Sequence, residues 1–501
     1  MELKVLRKNI LGHKTECLII GRFEGRTENP ALKEVDAALG GAIKCAIQAG
    51  DFKGKLNQTA LFYNSGQLST ERVLIIGLGS RREFCLERLR EVSGKAVAEM
   101  KKIGARVIST TLPQTVEGMI DDVDIAQAIA EGCFLGAYSF DEHKTEKKDI
   151  PKEIKTLNMV LPLRYKGIKK IEEGARRGEI ISQNVLFARR LVSSPGNVAT
   201  PSFMAEQAIY MEKEADIKAT VIEKEEMGKL GMGAMLAVAQ GSSQSPKFII
   251  MEYKGGKAEN KPYVIIGKAV TFDSGGISLK PSPEMDEMKM DMSGGAAALG
   301  TVRAAAMLKL PLNLVALVPA TENLPGGRAY KPGDILKSMS GKTIEILNTD
   351  AEGRLIMADA LTYAERYKPK AVIDIATLTG ACIVALGSNA SALLGNNESL
   401  KKELLRAGDE TGERVWELPL WDSYKKQIKS DIADMKNIGG KGAGTITAAA
   451  FLDQFAGKYH WAHIDIAGTA WEKEGRPYIP KGATGVGVRL FIKFLENSLR
   501  V

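Results

Sequence analysis

The chain is poor in the residues that build soft-metal sites and disulfide frameworks. Its 501 residues include five cysteines and four histidines. Cys17, Cys45, Cys85, Cys133 and Cys382 are scattered, odd in number and free of C-x-x-C spacing. That excludes a disulfide scaffold and a cysteine-ligated zinc, and fits a reducing cytosol. Only His460 and His463 lie close together. They fall in a strand-like run, where residues three apart point to opposite faces, so the pair is expected to be structural. No apolar run approaches the ~20 residues of a membrane-spanning helix. The start, "MELKVLRKNILGHKTECLIIG", has neither a sustained apolar stretch nor a small-residue cleavage site. The expectation is a cytoplasmic protein with no membrane partner.

What is present is ordinary globular composition, 44% hydrophobic and 26% charged, in a chain long enough for two or three domains. The net charge of +8 permits an anionic partner without demanding one. Short apolar runs alternate with longer helical patterns, which reads as α/β with mostly parallel sheets. In the first third the strand candidates are "CLII", "RVLIIGLG", "RVIST" and "LNMVLPL", with a helix expected over 87–103. The "GLGS" at 77–80 lacks the third glycine of a dinucleotide fingerprint, Arg82 standing in its place, and reads as a strand-ending turn. Residues 141–156 are charged and read as a surface excursion. The long helical pattern 166–192 ends at "SSPGNVATP", so an amino-terminal α/β domain (1–165), a connecting helix (166–192) and a second α/β domain (193–501) are expected.

The second domain offers "KFIIMEY", "PYVIIGKAV", "NLVALVPA", "TIEIL", "AVIDIATL" and "AHIDIAG" as strands, most of them apolar enough to be covered on both faces. The helix after Gly353 shows polar residues mainly at Asp359, Thr362 and Glu365, a narrow stripe that predicts a largely buried helix. Three stretches carry chemistry. "VIIGKAVTFDSGGISLKP" holds Lys268, Asp273 and Lys280; "MKMDMSGGAAALG" holds Asp291; "NTDAEGRL" holds Asp350, Glu352 and Arg354. Two of the three follow strand candidates directly, and ligands bind open α/β sheets outside the carboxyl ends of strands. Four carboxylates in one dry cleft would repel until protons bound, whereas two divalent cations would cancel their charge. Carboxylates suit manganese, magnesium or zinc. Each lysine is either a neutral ligand, if its pKa is pulled far down, or an ammonium that stabilises negative charge.

"GKAVTFDSGGISLKP", "MKMDMSGGAA" and "NTDAEGRL", supported by "RAYKPGDIL", "TLTGAC", "GTITAAAFL" and "PKGATGVGVR", resemble the signature of the leucine aminopeptidase (cytosol aminopeptidase) family. The resemblance covers 190–495 and is looser over the first 165 residues. It implies a metallo-aminopeptidase with two metal ions, manganese or zinc, held by Lys268, Asp273, Asp291, Asp350 and Glu352. It further implies that Asp273 and Glu352 bridge the metals and that Lys268 is a neutral amine ligand. Lys280 would polarise the scissile carbonyl, and Arg354 would hold a bicarbonate ion acting as general base. Met288, Thr377 and Gly380 would line the pocket for the first side chain of the substrate. The implied substrates are peptides with a free, preferably Leu-like amino-terminus. The implied assembly is a homohexamer of two stacked trimers.

Two alternatives differ in kind. A two-metal phosphoesterase would use the same acidic cluster, although such sites usually add histidines or a phosphate-cradling loop. Nucleic-acid binding, known for some members of that family, is compatible with the positive charge. No recognised DNA-binding motif appears, and basic and acidic residues intermingle throughout.

Overall fold

The structure is a computed structural model that describes residues 1–25, 29–146 and 152–500. The chain divides into two compact units, Met1–Gln183 with Glu474–Lys481, and Asn184–Lys473 with Gly482–Val501. Of the charged excursion expected over 141–156, residues 147–151 lie outside the described residues.

The first unit has six strands: β1 (Glu2–Arg7), β2 (Thr15–Arg22), β3 (Thr59–Tyr63), β4 (Thr70–Gly77), β5 (Val107–Thr110) and β6 (Thr156–Leu161). They form one sheet in the order β1-β6-β5-β2-β4-β3, parallel except for β3. Strand periodicity sends alternate residues to opposite faces, and both faces are covered. Ile19, Leu74 and Ile108 pack under α3 (Leu86–Lys102) and α5 (Asp122–Gly136). Leu18, Ile20 and Ile75 pack under α1 (Pro30–Ala38) and α2 (Ala42–Ala49). The "GLGS" stretch ends β4, with Gly79 at φ +71° in the turn. The short α4 (Leu112–Thr115) follows β5, and the long α6 (Ile168–Ser193) runs from this unit into the next. The segment Glu474–Lys481 belongs to this unit because Tyr478 packs on Gly94 of α3. A Cβ at Gly94 would lie 2.5 Å from that of Tyr478, whose hydroxyl donates to Glu87.

In the second unit, α7 (Pro201–Glu214) precedes β7 (Lys218–Ile222), and α8 (Lys224–Leu230) and α9 (Gly233–Ala239) follow it. Next come β8 (Lys247–Lys254), β9 (Tyr263–Gly267), β10 (Ala269–Asp273), α10 (Ser293–Met307) and β11 (Asn313–Asn323). The "TIEIL" run does not join the central sheet. Its residues form β13 (Thr343–Glu345), between β12 (Ile335–Lys337) and β17 (Met435–Lys436) in a separate three-stranded sheet. The central sheet has the order β16-β15-β18-β14-β9-β11-β8-β7, with β10 on β11, where β14 is Ala371–Ala376, β15 Ser391–Gly395, β16 Val415–Glu417 and β18 Trp461–Asp465. Its core strands β18, β14, β9 and β11 are parallel, so their carboxyl ends open on one edge. Between β9 and β10, Lys268 marks the point where the chain leaves β14 and continues along β11 alone.

The helix after Gly353, α11 (Gly353–Ala364), is buried along nearly its whole length. Asp359 is not part of a solvent stripe: its side chain is buried and accepts the backbone N–H groups of Met235 and Met339 at 2.9 and 2.8 Å. It thereby ties α11 to α9 and to the turn after β12. Removing a buried acceptor strands its donors at roughly 1–3 kcal/mol each. Asp359→Ala is therefore expected to destabilise the second unit by about 2–6 kcal/mol on that basis. Chemical denaturation followed by tryptophan fluorescence measures it, and an unchanged midpoint would show that the two amides find other partners.

Candidate active site at the strand ends

Several polar residues of the cluster sit where a strand of the central sheet stops. Lys268 follows β9, Asp273 closes β10, Asn323 closes β11, Thr377 follows β14 and Asp465 closes β18. Asp291 lies in the 3-10 turn Met285–Met292 that feeds α10, and Glu352 occupies the residue before α11. The start of α10 reaches the strand ends because it is made of glycine and alanine. A Cβ at Gly294 would come within 2.1 Å of the Ile375 carbonyl oxygen. The glycine inside "DAEGR" has the same kind of reason. A Cβ at Gly353 would meet the Lys268 side chain at 2.5 Å, so α11 can begin beside the lysine only with glycine there.

Asp273, Asp350 and Glu352 each offer a carboxylate oxygen, and these oxygens lie within 4.8 Å of one another. Two ammonium groups hold the acids together. Lys268 Nζ is 2.7 Å from Asp291 and 2.8 Å from Glu352, and donates to the Thr377 carbonyl at 2.9 Å. Lys280 Nζ is 2.9 Å from Asp273 and 2.5 Å from Asp350. Lys268, Asp273, Asp291 and Glu352 are all at most 5% exposed, so these contacts lie in a region of low dielectric.

The titration behaviour follows from that burial. Burial and the neighbouring acids Asp273 and Glu352 push Asp350 up to about 6. Burial also raises Asp273 and Asp291, against the pull of the lysines. Glu352 is held below its ordinary value, because Lys268 and Lys280 outweigh the cost of its burial. Burial alone would lower both lysines, but the surrounding carboxylates outweigh it and both are raised. Held between Asp291 and Glu352, Lys268 is favoured as the ammonium.

Arg354, on the first turn of α11, donates from Nη1 to the Asn437 carbonyl at 2.7 Å. Its Nε is buried without a hydrogen-bond partner, and burial lowers the guanidinium to about 10. A buried, partly unsatisfied guanidinium fits a small planar anion. The acidic set fits divalent cations: three carboxylates meet at one place, and Asp291 Oδ2 receives no aligned hydrogen bond. Lys268 fits as a metal ligand only after losing its proton.

Thr377 belongs to the cluster itself, its hydroxyl donating to Asp291 Oδ1 at 2.6 Å. Met288 is half-buried in the turn that carries Asp291, and Gly380 is exposed at the start of α12 (Gly380–Leu386). His463 is buried against Asp374 of β14, while His460 is exposed beside Asn397. Four supporting residues were not among the candidates read from the sequence. Asn323 Nδ2 donates to Asp273 Oδ1 at 2.8 Å and to the Thr349 carbonyl at 3.0 Å. Tyr330 donates to the same carbonyl, and the Thr349 hydroxyl donates to the Gly275 carbonyl, lacing the lysine loop to the "NTDAEGRL" loop. Asn437 accepts the Leu347 N–H and donates to the Asn348 carbonyl. For Asn323 the signal was a polar "TEN" closing an apolar strand, the same design as its neighbours.

Comparison with known proteins agrees with this geometry. The model of the cytosol aminopeptidase family catalytic domain matches residues 186–492, and that of the family's N-terminal domain matches 19–147. A probable cytosol aminopeptidase of Syntrophotalea carbinolica is 50% identical over 486 residues, covering 97% of each chain. The cytosol aminopeptidase of Pseudomonas aeruginosa is 46% identical over 483 residues, covering 96% of each chain. Among solved structures, a mutant tomato leucine aminopeptidase aligns with a TM-score of 0.89 at 33% identity, covering 99% of this chain and 96% of that one. The bottromycin maturation enzyme BotP in complex with Mn aligns with a TM-score of 0.85 at 30% identity, covering 97% and 99%. The chain belongs to the cytosol aminopeptidase family and is an aminopeptidase, a hydrolase.

If the acid cluster holds metal, uptake releases protons, because a ligand must be deprotonated to bind. With Asp350 at about 6, acidification through that value sets protons in competition with metal. Manganese affinity, measured by competition with a chromophoric chelator, is expected to fall roughly tenfold per pH unit for each proton displaced below about pH 6. Equal affinity at about pH 7 and about pH 5 would exclude these carboxylates as ligands.

Proposed function

We propose that the chain removes Leu-like amino-terminal residues from peptides with a free amino-terminus, using two divalent cations, manganese or zinc, and a bicarbonate ion. The observation that carries this reading is the meeting of Asp273, Asp350 and Glu352 oxygens in one buried cleft beside Lys268, Lys280 and Arg354. Lys268, Asp273, Asp291, Asp350 and Glu352 would hold the cations, with Asp273 and Glu352 shared between them. Arg354 would hold the bicarbonate, an assignment supported by its unpartnered Nε. When bound, the cations supply Lewis acidity and an acidified water, and the bicarbonate supplies a base toward that water.

The chain's own groups then divide the work. Lys280, at 22% side-chain exposure, is more open than Lys268 at 3%, which supports its facing the substrate. Its ammonium would polarise the scissile carbonyl and stabilise negative charge as it develops on the oxygen. Met288, Thr377 and Gly380 would border the first side chain, with Thr377 also orienting Asp291. The assembly proposed is a homohexamer of two stacked trimers, and the compartment the cytoplasm. The assembly is supported by apolar side chains left in the open: Val384 is 90% exposed and Trp416 64%. Among the described residues no helix is long and apolar enough to cross a membrane.

If a cation binds the free amine, acetylating a leucyl chromogenic substrate is expected to abolish turnover, since an amide nitrogen is a poor ligand. Comparable hydrolysis of blocked and unblocked substrates would sink the exopeptidase reading.

The two lysines are expected to separate by what their loss removes. Lys280→Ala should keep its metal content and lose about a hundred- to thousandfold in kcat, the usual cost of one oxyanion donor. Lys268→Ala should bind metal more weakly and recover partly in excess cation. Metal stoichiometry and kcat of both variants decide it, and metal loss in Lys280→Ala would reverse the assignment.

A further inference from the structure

The amino-terminal unit has a crevice that peptide hydrolysis does not use. Its volume is about 780 Å³, and it opens at the carboxyl edge of the six-stranded sheet. Residues that follow each of the five parallel strands contribute to it. Lys8 follows β1, the start of α1 follows β2, Arg81 follows β4, Gln114 follows β5, and Arg164 and Lys166 follow β6.

The topology puts the crevice at a fork. Strands β5 and β2 are neighbours. The chain leaves β5 through α5 on one face of the sheet and leaves β2 through α1 and α2 on the other. Adjacent connections that diverge in this way open a cleft outside the strand ends, the place where open α/β sheets bind ligands.

The lining has a definite chemistry. Lys8, Arg81, Arg164 and Lys166 have no ion-pair partner among the described residues. Gln114 also borders the crevice, and its Nε2 is buried and has no hydrogen-bond acceptor. A buried donor without a partner costs stability unless something accepts from it. Two carboxylates, Glu34 and Glu117, also line the crevice and can accept from hydroxyl groups. No free aromatic face lines it, since Tyr165 is buried and donates to Asp122.

We propose that this crevice binds a nucleotide-sized sugar phosphate of the nucleoside diphosphate class, its phosphates held by Lys8, Arg81, Arg164 and Lys166 and its hydroxyls by Glu34 and Glu117. The volume lies within the roughly 300–1,000 Å³ of small-molecule sites. Recognition rests on side-chain cations, not on a glycine-rich phosphate loop, which agrees with the "GLGS" stretch being a turn. The site is separate from the peptidase cleft and goes beyond the function proposed above.

Calorimetric titration of the full-length protein with adenosine 5′-diphosphate, at low salt and without added metal, tests it. Binding is expected, and charge reversal by Arg164→Glu or Lys8→Glu should weaken it at least tenfold. Both side chains are exposed and outside the peptidase cleft, so leucyl-substrate turnover should be unchanged and reports that the variants are folded. Adenosine, lacking phosphate, should give no heat. Absence of binding, or binding indifferent to these substitutions, overturns the proposal. Pyrophosphate binding as tightly as the nucleotide overturns its sugar component. Duplex DNA binding that is lost in both charge-reversed variants, with no heat from the nucleotide, overturns it in favour of nucleic acid.

Discussion

Four carboxylates share one cleft, three of them nearly dry, and their mutual repulsion is the constraint to which the rest of the catalytic unit is arranged. Two like charges about 4 Å apart at an effective dielectric of about 20 oppose each other by about 4 kcal/mol. That is well above the roughly 0–1 kcal/mol contributed by an exposed ion pair. Surface electrostatics therefore cannot balance the cleft, and cations must be buried with the acids. Lys268 and Lys280 are held there, each between two carboxylates, and Arg354 stands behind them. The acids still outnumber these cations by one, so the cleft stays hospitable to further positive charge.

Placing so many charged groups together requires backbone to come unusually close. The sheet parts at Lys268, where β14 ends and the chain continues along β11, and the gap admits the lysine side chain. The glycine-led start of α10 and Gly353 of α11 close on that gap from either side because neither carries a Cβ. Polar residues one contact further out fix the loops. Asn323 grips Asp273 and the Thr349 carbonyl together, and the Thr349 hydroxyl holds Gly275. Such positioning through backbone carbonyls and amides lets the acids keep their orientation without adding charge.

What could be read from the sequence was whatever repeats locally. Predominantly apolar runs such as "YVIIG" and "AVIDIA" became central strands, and the three chemistry-bearing stretches converge, two of them from directly after strand candidates. The strands not anticipated include β1, β3 and β7, which lie at sheet edges. Their half-exposed faces, as in "ELKVLR" and "KATVI", interrupt the apolar signal. The "TIEIL" run had the right composition for the main sheet but pairs elsewhere, because composition does not choose a partner strand. Asp359 looked like a surface residue, yet its partners lie at Met235 and Met339, and a contact so distant in sequence leaves no periodicity. Asn437, which shapes the surroundings of Arg354, was invisible for the same reason.

The amino-terminal unit is not a continuous stretch of chain, since Glu474–Lys481 completes it with Tyr478 seated on Gly94. During synthesis its six strands emerge first, and domains generally fold as units from the amino-terminus onward. Here that order fails at the last step. The surface around Gly94 and Glu87 must wait, uncovered, while nearly three hundred further residues are made. Completion of the amino-terminal unit thus waits on synthesis of nearly all of the other unit.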